Sequence, residues 1–392
     1  MLRSAGKLNP RVTGMRCLRC ATLHPVADYF EGCPVCFKLN MPASLAMEYR
    51  EFPNRVECVG DWQVYLDHPA LGEGNTPLAP LDRLAEEIGI RGLCLKNEGA
   101  NPTGSHKDRM SRLVVQRALE IGASTVAAAS SGNAGVSLAA YAAHVGLTCV
   151  IITTPDMNPN WRRAIEMHGA TLLAATTPEQ RWDVLARGVR AGDWYPATNF
   201  VVPAVGSNPF GVDGYRSIAF ELFLQLQADP PTDIFVPTSR ADLLWGIGRG
   251  YCDLQVAGFV KRRPRVHAVE PFARISRVFA GEDYRANFPG STAMTSIGGA
   301  TVTYQALNAL KSCRGRAVVA DDETARVDQK RLAQSGFYLE LSSAAALTGL
   351  RRLVSQGVVR RDASVVLIGT SSGFCEYEEF SKPITRADRE AD

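Results

Sequence analysis

Leu95-Lys-Asn-Glu-Gly-Ala-Asn-Pro-Thr-Gly-Ser-His-Lys-Asp-Arg109 is the run on which the reading of this chain turns. Leu93 to Lys96 reads as a short buried strand, Pro-Thr-Gly is turn chemistry, and Lys107 opens a helical pattern. A lysine so placed can form a Schiff base with a carbonyl cofactor, because a helix N-terminus and nearby polar groups tune its amine. Alone, such a lysine is more simply a solvated residue on a helix. Two neighbouring runs change the weighing: Gly72-Glu-Gly-Asn-Thr-Pro-Leu78 before it and Ser130-Ser-Gly-Asn-Ala-Gly135 after it.

In order and spacing, the three runs resemble the fold-type-II pyridoxal phosphate (PLP) enzymes of the tryptophan synthase β superfamily, and within them the threonine synthase-like family. The resemblance spans roughly residues 70 to 375. It implies that Lys107, in an S-x-K-D-R pattern, carries the cofactor and then serves as the proton-shuttling catalytic base. It also implies that Ser130, Ser131, Gly132, Asn133 and Ala134 hold the substrate carboxylate, with Asn133 reaching the cofactor's ring hydroxyl. Small residues there let backbone N–H groups approach a ligand, and a helix N-terminus favours an anion. The plain alternative is a strand-to-helix turn with Asn as the cap. Thr370, in Gly369-Thr-Ser-Ser-Gly373, matches a hydroxyl residue facing the pyridine nitrogen, with Ser371 as fallback. A neutral hydroxyl does not keep that nitrogen protonated, which suits elimination and replacement chemistry. Glu340-Leu-Ser-Ser-Ala-Ala345 resembles the family's E-x-x-S-A-A helix start near the cofactor, although Ser343 reads equally well as a cap.

The chain departs from the family at the phosphate cradle. A glycine-rich loop is expected after the strand Asp233 to Pro237, yet the sequence is Thr238-Ser-Arg-Ala-Asp242, with no glycine before Gly246. Ser239 and Arg240 are therefore expected to hold the cofactor phosphate, aided by a helix beginning near Ala241. Asp242 sits awkwardly near an anion unless it caps that helix. Gly246-Ile-Gly-Arg-Gly250 falls late in a helical pattern and is not read as a dinucleotide loop. His106, where the family often has Phe or Val, is expected to pack.

Beyond these runs the chain alternates. Strands are expected at Ser124 to Ala129, Leu147 to Thr153, Ala170 to Ala175, Asp233 to Pro237, Arg265 to Glu270 and Ser364 to Gly369. Helices are expected at Lys107 to Ile121, Asn133 to Val145, Asn160 to His168, Pro178 to Ala191, Asp213 to Gln227 and Ala241 to Cys252. Three more follow near Val302 to Lys311, Glu323 to Ser335 and Ser343 to Ser355. This rhythm argues for an α/β fold: two lobes of parallel-rich sheets with helices on both faces, preceded by a small zinc-ribbon-like segment. The expected division is 1–45 for a tail and the ribbon, 46–99 with 201–392 for a large PLP-binding lobe, and 100–200 for a small lobe. Residues 40 to 80 read as irregular.

Cys17-Leu-Arg-Cys20 and Cys33-Pro-Val-Cys36 have the spacing of a structural zinc site, four thiolates leaving no open coordination position. Phe37 stands where many ribbons carry a left-handed glycine. The other cysteines, Cys58, Cys94, Cys149, Cys252, Cys313 and Cys375, read as buried reduced thiols. At 392 residues with a formal charge of +3, nothing suggests nucleic acid, and no apolar run suits a bilayer. The first sixteen residues hold Arg3, Lys7, Arg11 and Arg16 without an acid. That is faintly like a transit peptide, but the preferred reading is an upstream extension or flexible tail, with Met15 as the start, on a cytoplasmic protein. Little length follows residue 375 for an added regulatory domain.

The threonine synthase-like reading implies O-phosphohomoserine and water as substrates, and threonine and phosphate as products. Arg109, Asn160, Arg162 and Arg163 are candidates for the substrate's phosphate, against the plainer reading of solvated helix residues. A PLP ammonia-lyase or β-replacement synthase acting on a serine- or threonine-like amino acid is the alternative. A non-catalytic paralogue is another, favoured only by the altered phosphate loop. By resemblance the assembly is a homodimer.

Overall fold

The computed structural model describes residues 6–227 and 229–376. Around the N-terminal cysteines, β1 (Val12–Cys17), β2 (Leu23–His24) and β3 (Leu45–Tyr49) form an antiparallel sheet in the order β2-β1-β3. The flexible-tail reading fails for residues 6–16. Leu8 bridges Tyr65, Asn9 is buried with its amide on Asp61 O and Gln63 O, and Met15 is buried within β1. Arg3 lies outside the described residues. The stretch 40–80 is not wholly irregular either, since it contains β3 and β4 (Leu78–Pro80).

Then follow β5 (Gly92–Asn97), β6 (Thr125–Ala129), β7 (Thr148–Thr153), β8 (Thr171–Ala174), β9 (Tyr195–Pro196), β10 (Asp233–Pro237), β11 (Arg265–Glu270), β12 (Ala317–Val319) and β13 (Ser364–Gly369). They make two sheets, in the orders β12-β11-β10-β13-β5-β4 and β8-β7-β6-β9. Every pairing is parallel except β4 with β5. Strands β10 and β13 are buried along their whole length, as a parallel sheet covered by helices on both faces requires. The expected α/β class with parallel-rich sheets and two lobes holds.

One pairing positions the site. β5 runs beside β13 in register from Gly92↔Ser364 to Asn97↔Gly369. The chain after β5, which leads to Lys107, is thereby set against Thr370 and Ser371 at the end of the last strand.

Burial of the six remaining cysteines is only partly as expected. Cys149 and Cys313 are buried, Cys94, Cys252 and Cys375 are half-buried, and Cys58 is exposed. Contact with the Cys313 thiol and with the Arg263 guanidinium (Nη1 to Sγ, 2.7 Å) draws Cys252 down to about 6. Cys252 should therefore be alkylated by iodoacetamide already at pH 7, with Arg263→Met moving the rate profile to higher pH. Peptide mapping of the alkylated protein checks this. Among the described residues, no helix is long and apolar enough to cross a membrane.

Candidate active site

In parallel sheets, ligands collect beyond the carboxyl ends of the strands. Four such ends carry the predicted residues: Lys107 after β5, Ser130 to Ala134 after β6, Ser239 and Arg240 after β10, and Thr370 after β13; a fifth, β11, adds a residue missed in the sequence. The segment before Lys107 is laced to β13. Ser105 bridges Ser371, and Thr370 O accepts the His106 N–H at 2.9 Å. His106 Nδ1 lies 3.0 Å from the same carbonyl, and its ring packs against Tyr215 at 5.5 Å. Burial and then the Lys107 charge hold His106 well below its ordinary pKa, so it is a neutral packing residue, as expected.

Lys107 is the N-cap of the helix Asp108–Glu120. Its amine is 5.9 Å from the Tyr215 ring centroid. Burial pushes the amine's pKa down, Asp242 pushes back, Arg240 lowers it further and Glu340 raises it. The net direction is down, which increases the share of free amine available as nucleophile or base.

Ser343 Oγ lies 2.6 Å from Thr370 Oγ1 and accepts the Ser371 N–H at 2.9 Å. The cap reading of Ser343 fails, because Glu340 is the N-cap of the helix Leu341–Ser355. Glu340 is itself a buried hub that the sequence reading left unassigned. It accepts from Asn133 Nδ2 at 2.7 Å and from the Ser296 and Ser371 hydroxyls. Asn133 thus crosses the cleft from the smaller sheet to the larger. It is the first residue of the helix Asn133–Val145, whose cap is Gly132 and not Asn133. Ser130 Oγ accepts from Gly132 N (3.2 Å) and Gly135 N (3.0 Å), while Ser131 Oγ accepts from Arg181 Nη1 at 2.6 Å. These hydroxyls shape the loop; Gly132 and Ala134 are only partly covered beside them.

At the altered loop, Ala241 takes the left-handed conformation (φ 68°) that usually calls for glycine. Asp242 does not cap its helix. Its carboxylate accepts from Ser207 N (3.1 Å), Ser207 Oγ (2.7 Å) and Gln305 Nε2, which turns it away from the loop. Arg240 lies over Trp182, and its shielded Nε has no hydrogen-bond partner. Arg274, after β11, is fully buried, with Nη1 likewise unpartnered. Orphaned guanidinium donors in a cleft fit an anionic group such as a cofactor phosphate. Arg274 was legible only indirectly, as an arginine just past a correctly predicted strand.

Arg109 is not a substrate ligand. It is buried and bonded to Glu98, Glu221, Ser217 and Thr76. Arg162 is exposed and pairs with Glu166, Arg163 is exposed, and Asn160 bonds the carbonyl of Cys375. The structure does not bring these four together.

The cysteine set does converge. The four sulfurs of Cys17, Cys20, Cys33 and Cys36 lie within 4.8 Å of one another. Cys17 and Cys36 are 3.6 Å apart, and Cys20 and Cys33 are 3.7 Å apart. A tetrahedron with zinc–sulfur bonds of ~2.3 Å has edges of about 3.8 Å, so the set fits zinc and is far too open for disulfides. Phe37 needs no left-handed turn, since it lies within the helix Pro34–Lys38; the positive φ values around the four cysteines fall on Ala21, Gly32 and Asn40.

Comparison with known proteins agrees with this geometry. The family model described as "Pyridoxal-phosphate dependent enzyme" matches residues 69–371. A threonine synthase of Methanocaldococcus jannaschii is 30% identical over 383 residues, covering 91% of this chain and 92% of that protein. One from Methanosarcina acetivorans is 30% identical over 374 residues, covering 91% and 90%. The structure of maize serine racemase superposes with a TM-score of 0.66 at 17% identity, covering 76% of this chain and 88% of that one, which bears on the fold alone. With the family model reaching from the Thr76 run to Ser371, the chain belongs to the pyridoxal-phosphate dependent enzymes of fold type II and is a PLP-dependent lyase.

Proposed function

We propose that the enzyme converts O-phosphohomoserine and water to threonine and phosphate. The observation that carries this reading is the likeness to threonine synthases, extended over nine-tenths of the chain. PLP, once bound, supplies an electron sink for a carbanion at the amino acid's Cα. Lys107 is the residue proposed to hold it and then to move protons at Cα and Cβ. The Ser130 to Ala134 loop is proposed to bind the substrate carboxylate through backbone N–H groups at the helix start. Thr370 would face the pyridine nitrogen and Asn133 the ring hydroxyl, while Ser239 and Arg240 would bind the cofactor's phosphate. We take residues 46–99 with 201–392 as the large lobe and 100–200 as the small one, residues 377–392 of that division lying outside the described residues.

Inorganic phosphate release from O-phosphohomoserine, with threonine as co-product, is the direct test. Ammonia and a keto acid from serine or threonine, without phosphate release, would favour the lyase alternative. The four cysteines are proposed to hold one structural zinc. Metal analysis should find it in wild type and not in Cys36→Ser, whose thermal unfolding should begin lower. A cytoplasmic homodimer completes the proposal, supported by free thiols throughout and by the resemblance. Light scattering on the purified protein tests the dimer.

A further inference from the structure

We infer that Arg274 joins Arg240, Ser239 and the turn at Gly299 to form a two-guanidinium seat for the cofactor's phosphate, in place of the missing glycine-rich loop. The inference rests on the PLP reading above and adds the groups that grip one end of the cofactor.

Three observations converge. First, Arg274 is 0% exposed and its plane is fixed, Nη2 donating to Thr238 O at 2.6 Å and to Ile297 O at 2.7 Å. Its Nη1 has no hydrogen-bond partner, and neither has the shielded Nε of Arg240. Second, the three side chains face one small space. From the position a Cβ would take on Gly299, Ser239 Oγ is 3.3 Å away, Arg240 Nη1 3.5 Å and Arg274 Nη1 3.8 Å. The absence of a side chain at Gly299 leaves that space open.

The nearby acids are turned elsewhere. Glu270 lies beside Arg274 Nε at 3.6 Å, but its oxygens accept from the backbone N–H groups of Arg274, Ile275 and Ser276. Asp242 is bound by Ser207 and Gln305. Two cations therefore meet without a carboxylate between them, an arrangement that a dianion stabilises. Burial, eased by Glu270 and deepened by Arg240, brings Arg274 down to about 10.

Third, the place in the sheet is right for the cofactor. Strand order is β11-β10-β13. Neighbouring strands are about 4.8 Å apart, so a ring held by Thr370 beyond β13 can reach its phosphate across β10 towards β11. Arg240 and Arg274 follow those two strands.

The test strips the purified enzyme of cofactor and titrates it separately with PLP and with pyridoxal, reading absorbance of the bound compound. Wild type should prefer PLP. Arg274→Met should weaken PLP by about 10- to 100-fold and leave pyridoxal unchanged. Because Arg274 also ties down Thr238 and Ile297, Gly299→Val is the second variant. It fills the seat without touching those bonds and should give the same selective loss. If both variants keep the wild-type preference for PLP, the seat is overturned and the PLP reading survives. Wild type binding neither compound would overturn both.

Discussion

Lys107→Ala should give a folded, colourless protein whose turnover falls by about 10²–10⁴-fold, the range commanded by a positioned proton-transfer group. The reason is local. Lys107 is held at the helix start by the Ser105–Ser371 bridge and the His106–Thr370 bonds, neither of which needs its side chain. Removing the amine should leave that lacing intact, so far-UV circular dichroism and the unfolding midpoint should stay near wild type. Borohydride reduction of the wild-type holoenzyme, followed by peptide mapping, should place the label on Lys107. A label on Lys96, the other lysine in the same run, would sink the assignment. That outcome is disfavoured physically, because Lys96 is fully buried and its amine is occupied by Glu221 and Thr76 O.

Lys96 and Lys107 show what the sequence could and could not convey. Both lie in the decisive run; turn chemistry placed Lys107 at a helix start, and the resemblance carried by the flanking runs gave it the cofactor role. Strands such as β10 and β13 were legible because each carries a continuous apolar run, a pattern that needs no knowledge of partners. Short elements such as β9 and β12 were missed, since two or three residues carry no period and exist only by pairing with neighbours. Arg109 and Arg274 were misplaced or missed for a related reason. An arginine's task depends on which acids reach it across the fold. Glu221 lies 112 residues from Arg109, and the two carbonyls that hold Arg274 lie 36 and 23 residues from it. Local spacing cannot distinguish a solvated arginine from a buried one whose partners are that distant.

The buried charge cluster gives the largest expected effect on stability. Arg109 donates to both oxygens of Glu98 (2.6 and 2.8 Å) and both oxygens of Glu221 (2.6 and 2.8 Å), and Lys96 reaches Glu221 at 2.6 Å. Two cations balance two carboxylates with essentially no access to water. Thr76 of the Gly72 to Leu78 run adds its hydroxyl to Glu98, which ties that run to the same centre. Arg109→Met removes one cation and strands a carboxylate charge, which should cost about 3–5 kcal/mol, a large part of a typical folding free energy of about 5–15 kcal/mol. Denaturant unfolding should show that loss, with Arg109→Lys intermediate because it keeps the charge and loses the two-sided fork. The acid limb should move as well. Burial pushes the Glu221 carboxyl up, but Arg109 and Lys96 outweigh it and hold the group well below its ordinary value. Its contribution is therefore complete above the ordinary carboxylate range and is lost only as pH falls through the depressed value. Without Arg109 that loss should begin at higher pH. An Arg109→Met protein unfolding within about 1 kcal/mol of wild type, on the same acid limb, would show that the cluster is not the keystone its geometry indicates.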